Sequence, residues 1–212
     1  MSKVDDRHLG SNGRYALIRK ELFRKAIHIF GFSIPFISLV AGVYYAAAII
    51  IALAAVYSVS EYFRLKGRSF PVLTAVTKAA MRNAAGGEEE KQDTFVKAPL
   101  YFAAGILASL LMFPAPFNYA AIAVITLGDG FASIAGKLYG KNKIPYTCGK
   151  TVEGSLAGFV CAFAGAAIFI SPATALIAAT IGMVIELLPL RVTDNLTVPL
   201  LSGLTISIIG NL

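Results

Sequence analysis

Residues 117–138 read FNYAAIAVITLGDGFASIAGKL, and one acid inside this stretch decides the fold. An α-helix crosses a hydrocarbon core with roughly 17–25 apolar residues, and this run has that length. A carboxylate at such depth costs about 3 kcal/mol on insertion scales, so Asp129 reads first as a functional group. Gly128 and Gly130 flank it. They permit a broken or closely approached helix, the arrangement found where backbone lines a polar cavity. The plainer alternative is an Asp neutralised by a lysine such as Lys137. Gly128, Ala132, Gly136 and Gly140 weigh against it, forming a small-residue ridge at i+4 spacing. Such a ridge packs helices, and beside an acid it also admits a ligand closely.

The rest of the chain agrees with lipid as solvent. Hydrophobic residues make up 57%, charged residues 15%, and the mean hydropathy is +0.70. A soluble domain clothes itself with about 25% charged residues. The net charge of +7 is gathered in short clusters between apolar runs, with no basic stripe interleaved with aromatics, which excludes nucleic acid. Cys148 and Cys161 show neither pairing nor zinc spacing. Residues 1–25 are polar, so no cleavable signal peptide is expected ahead of the first apolar run.

Seven apolar stretches follow: Ala26–Gly42, Tyr44–Phe63, Pro99–Phe113, Phe117–Leu138, Glu153–Ile170, Pro172–Leu188 and Val198–Leu212. The third and seventh are short for a span. The turns between them alternate, one set brief and uncharged, the other carrying every charge. Threading seven spans through those turns puts all 19 Lys and Arg on one side, which the positive-inside rule makes the cytoplasm. The expected fold is therefore all-α, a polytopic bundle of about seven spans with its N-terminus in the cytoplasm. Residues 1–25 form a cytoplasmic segment and 26–212 one membrane-embedded domain, with cytoplasmic loops at 64–97, 137–152 and 189–197. Phe70, Leu73, Val76, Thr77, Ala80 and Met81 are spaced as one helical face, either lying in the headgroup plane or capping the bundle. Gly86–Lys91 reads as a solvated turn.

The loop after Asp129 carries Lys141, Lys143, Lys150, Thr151, Glu153 and Ser155. Gly149-Lys150-Thr151 is not a Walker motif, because Ile144 stands where its first glycine belongs and no strand precedes it. Lysines facing a triphosphate, with hydroxyls near a helix N-terminus, serve a similar purpose. Glu153 in that first turn also suits the helix dipole alone. Glu21, Arg24, Lys25 and His28 share one helix face at the membrane boundary. His28 lies within an apolar run, where a basic flank does not explain it. Glu61 is ambiguous and can pair with Arg64. Glu186 and Asp194 emerge on the same side as the lysines and are candidate second carboxylates; Asp194-Asn195 also reads as a turn.

Taken in order, Glu21 to His28, Gly128 to Ala132 with Gly136 and Gly140-Lys141, Lys150 to Ser155, and Glu186 with Asp194 to Pro199 resemble the CTP-dependent polyprenol kinase family. That family includes dolichol kinases, phytol kinases and CTP-dependent diacylglycerol kinases. The likeness runs from Glu21 to the C-terminus. It implies phosphoryl transfer from CTP to the hydroxyl of a long isoprenoid or glyceride, with Mg²⁺ or another divalent cation. It assigns Asp129, Lys150, Thr151 and Glu153 to the CTP site. On this reading Asp129 and Glu153 are the metal candidates, while Lys141, Lys143, Ser155 and Asn195 join the nucleotide contacts. Asp194, Glu186 and His28 are the candidate bases. Glu21, Arg24, Lys25, Gly136, Gly140 and Gly154 support the site. The expected partners are the bilayer, CTP and the lipid alcohol, with a homodimer allowed. The membrane is that of the cell in a prokaryote or of the endoplasmic reticulum in a eukaryote. Phosphatidate cytidylyltransferases share the Gly-Asp and Lys-Thr-x-Glu-Gly portions, so a CDP-lipid synthase is the first rival. A transporter is the second, weakened because one face lacks any charge.

Overall fold

The computed structural model describes residues 22–68, 95–147, 149–189 and 193–210. Glu21, the 70–82 helical face, the Gly86–Lys91 turn and Cys148 lie outside the described residues. Seven helices are present among them: α1 (Leu22–Ala41), α2 (Val43–Leu65), α3 (Ala98–Met112), α4 (Phe117–Tyr139), α5 (Val152–Ala167), α6 (Pro172–Leu187) and α7 (Asp194–Gly210). The only pairing outside helices, among the described residues, is one bridge between Lys143 and Thr151. Helices α1, α2 and α4 are each long and apolar enough to cross a membrane; the other four are shorter apolar helices.

Helix α4 is the axis. Tyr119 to Ile125 are all buried, with α5, α6 and α7 packed around this stretch and the π turn that follows. Small residues permit the approach, since association in lipid rests on close packing rather than on hydrophobic burial. Ala162 and Ala166 of α5 and Ala175, Ala178 and Ala179 of α6 are completely enclosed. Helix α2 lies at the rim, with Ile51, Leu53, Val56 and Val59 exposed, the surface a lipid-facing helix presents.

The connections are of two kinds. Gly42, residues 113–116 and residues 168–171 turn tightly without a charge. The described parts of the other connections, and the helix ends beside them, hold the lysines and arginines of the described residues. At that second end Glu61 is fully enclosed and holds Arg64 by two contacts of 2.6 and 2.8 Å. It also accepts the Val96 amide at 2.9 Å, while the Tyr57 hydroxyl donates to the Val96 carbonyl. This clamp satisfies both backbone groups of a buried residue and ties the end of α2 to the start of α3.

The last helix corrects one boundary. Asp194-Asn195, read as a turn before a span at Val198, forms the first turn of α7. An acid in a first turn complements the helix dipole, and the Thr193 carbonyl accepts the Leu196 and Thr197 amides. Pro199 sits inside this helix, so the Asn195 carbonyl has no amide to receive. It rests instead against Gly105 of α3, where even a β-carbon would come within 2.1 Å.

Candidate functional site

Within α4, residues Val124–Asp129 form a π-helical turn. The glycine pair therefore leaves the helix continuous but widened, a local feature that often marks functional sites. Asp129 ends this turn with 13% of its side chain exposed. Its Oδ2 accepts from Lys25 Nζ at 2.5 Å. His28 Nδ1 stands 2.9 Å from the same oxygen, in contact but off the line of a directed N–H bond. Lys25 and His28 come from adjacent turns of one face of α1, and both are buried. Gly130 allows this approach, because a β-carbon there would meet Ile29 at 2.7 Å. The His28 ring stacks on Phe102 of α3, with centroids 4.0 Å apart.

A second cluster forms where α5, α6 and α7 meet. Lys150 Nζ donates to Asp194 Oδ2 at 3.1 Å and to the Glu186 backbone carbonyl, and lies 3.5 Å from Glu186 Oε1. Glu186 is buried, whereas Lys150 and Asp194 keep 24% and 30% of their side chains exposed. Glu186 also lies within the fields of Asp129 and Lys25. The two clusters are thus linked electrostatically through Glu186, one holding Lys25, His28 and Asp129 and the other Lys150, Glu186 and Asp194.

The loop between α4 and α5 is folded onto itself. The Ile144 amide donates to Lys150 O and the Val152 amide to Asn142 O, both at 2.9 Å. Glu153 accepts from Asn142 Nδ2 at 2.8 Å and from its backbone amide. Thr151 caps α5 by accepting the Gly154 amide at 3.2 Å. Thr151 and Glu153 thereby shape the loop that aims Lys150. Lys141 and Lys143 are exposed, and Ser155 is half-buried inside α5. Gly136, Gly140 and Gly154 form the seam between α4 and α5. A β-carbon on Gly154 would meet the Ala132 carbonyl at 2.6 Å, and one on Gly140 would meet Thr151 at 2.7 Å. The small-residue ridge is filled by the neighbouring helix.

Arg24, Ile27 and His28 of α1, Ala98, Pro99 and Phe102 of α3, and Asn195 of α7 line a cavity of about 50 Å³. Phe102 carried no signal in the sequence, where it is one more aromatic in an apolar run. As for metal, no group of three His, Cys, Asp or Glu able to hold an ion occurs among the described residues. Mg²⁺ needs only one or two carboxylates, with water and phosphate completing its shell. One or two carboxylates drawn from Asp129, Glu186 and Asp194 have the donor chemistry of such a substrate-completed site.

No family model matches the sequence, and no solved structure matches it. Curated relatives do. Probable phytol kinase 1 of Oryza sativa subsp. japonica is 27% identical over 87% of this chain and 63% of its own length. Probable phytol kinase of Zea mays is 30% identical over 69% of this chain and 47% of its own. Farnesol kinase of Arabidopsis thaliana is 30% identical over 51% of this chain and 41% of its own. The chain spans between about two fifths and two thirds of the length of these three relatives. It is a homologue of proteins named phytol kinase and farnesol kinase, in line with the resemblance of its motifs to the polyprenol kinases.

Proposed function

We propose that this protein is a multi-pass membrane kinase that transfers the γ-phosphoryl group of CTP to the hydroxyl of an isoprenoid alcohol. The observation that carries the reading is a pair of ion clusters, Lys25–His28–Asp129 and Lys150–Glu186–Asp194, set among apolar helices and coupled electrostatically through Glu186. The relatives' names support the phosphoryl transfer and the isoprenoid acceptor. The positive-inside rule supports a cytoplasmic position for that end. The preference for CTP rests on the motif resemblance.

Phosphoryl transfer asks a protein mainly for positioning and charge neutralisation. On nucleotide binding Lys150 leaves its carboxylates and meets the phosphates, with Lys141 and Lys143 adding charge from the loop. Asp129 and Asp194 would hold Mg²⁺, which neutralises the β- and γ-phosphate oxygens when bound. Asp194 is preferred to Glu153, whose carboxylate is committed to Asn142. The alcohol oxygen forms a bond to the γ-phosphorus as the bond to the β-bridging oxygen breaks. CDP leaves, and the hydroxyl proton passes to a base among His28, Glu186 and Asp194.

Purified protein supplied with γ-labelled CTP and a panel of lipid alcohols tests this. The expected products are CDP and a labelled lipid monophosphate. Release of the label as pyrophosphate, with a CDP-lipid formed, would replace the kinase by a cytidylyltransferase. No nucleotide turnover with any alcohol would remove the enzyme reading.

A further inference from the structure

Resting on that kinase reading, we infer that the cavity between α1, α3 and the start of α7 seats the hydroxyl end of a single-chain alcohol and rejects a diacylated glycerol. The cavity has two chemical sides. Ile27, Ala98 and Pro99 make an apolar rim and Phe102 an apolar wall beside His28, while His28, Asn195 and Arg24 supply polar groups. An alcohol with a long hydrocarbon chain presents the same division, a hydrogen-bonding head on an apolar stem. One wall is shared with the reaction site, because the His28 ring that lines the cavity also touches Asp129 at 2.9 Å.

The surroundings show where the chain runs. Ile27 stands between Phe23 and Phe30 on one face of α1, at i−4 and i+3. Both phenylalanines are exposed, Phe30 by 75%, and Tyr101 of α3 is exposed beside the rim. In a bilayer this surface meets acyl chains, so a prenyl tail lies along it while its head enters the cavity. No water-filled route is needed for the acceptor, and the nucleotide is free to use the Lys150 side.

Size sets the selectivity. A volume of about 50 Å³ holds a few water-sized groups, which suits a hydroxymethylene group and its next carbons. A glycerol carrying two acyl esters is branched next to its hydroxyl and does not fit. Phe102 closes the back through its stacking on His28, and Ala98 keeps the rim open because its side chain is small. These two residues are therefore specificity determinants, one setting depth and the other entry.

The test is photolabelling of the full chain in detergent micelles with a diazirine-bearing farnesol, followed by mapping of the adducts. Adducts are expected on residues 23–30 and 98–102. Excess phytol should reduce them about tenfold, and dioleoylglycerol should leave them intact. Adducts mainly on α2 or α6, or equal competition by dioleoylglycerol, would overturn the inference. In turnover, Ala98→Phe should raise the KM for farnesol at least about tenfold while the KM for CTP stays within about twofold; an unchanged farnesol KM would also overturn it. Phosphorylation measured on the same preparation separates the two readings. Turnover with labelling elsewhere removes this seat and spares the kinase, whereas labelling here without turnover keeps the seat and removes the kinase.

Discussion

The two ion clusters share a chemistry but not an environment, and the contrast shows how a bundle of apolar helices keeps charge both enclosed and near its surface. In the first, Lys25 is 3% exposed and Asp129 13%. In the second, Lys150 and Asp194 are about a quarter to a third exposed. Removing one partner of a buried pair strands the other and costs about 3–5 kcal/mol. A pair near water loses far less, about 1 kcal/mol or below. The Lys25–His28–Asp129 cluster therefore also holds the structure together, binding α1 to α4. In the proposed reaction the Lys150–Asp194 pair, nearer to water than the first cluster, is the one that exchanges, its lysine trading a carboxylate for phosphates.

The largest effect is expected at Asp129. Asp129→Asn keeps an acceptor for Lys25 but loses the charge, and should lower turnover by about 10³-fold or more, roughly 4 kcal/mol in the barrier. Turnover assayed on protein of confirmed monodispersity checks this, and activity within tenfold of the parent would remove Asp129 from the chemistry. Next comes Lys150→Ala, expected to raise the KM for CTP about 10- to 100-fold with a small change in unfolding temperature. A large fall in unfolding temperature with an unaltered KM would reverse the contrast between the two clusters. Glu61→Gln should act in the opposite sense, through stability. It weakens the clamp on Arg64 and the Val96 amide, for about 1–3 kcal/mol, and leaves turnover per folded molecule within a few-fold, as thermal unfolding beside specific activity would record. The smallest effect belongs to Glu153→Gln. The amide retains an oxygen for Asn142, so turnover within about threefold is expected; a hundredfold loss would return Glu153 to the metal.

The fold was legible because the apolar run lengths and the alternation of charged and uncharged turns are one-dimensional signals. The runs correspond to seven helices; the short one at 99–113 matches α3 and the one at 172–188 matches α6 within a residue or so. The start of α7 was hidden because Asp-Asn ahead of a proline suits a turn and a helix N-terminus equally. Lys25, His28 and Asp129 were each marked, the first two by face spacing and the acid by depth. Their contact across the bundle was not, since nothing local records which helices are neighbours. Thr151 was marked by its hydroxyl near a helix start and Glu153 through the family resemblance; their further geometry, a helix cap and a loop brace, depends on the fold of the loop. Phe102 and Ala98 were invisible because an apolar residue beside a cavity looks like any other in a span.

A double-mutant cycle on Asp129→Asn and Asp194→Asn asks whether both clusters serve one reaction. If the two carboxylates act as a unit, kcat/KM for CTP in the double variant should lie within about tenfold of the worse single variant. Losses that multiply in full, as for independent sites, would contradict the account.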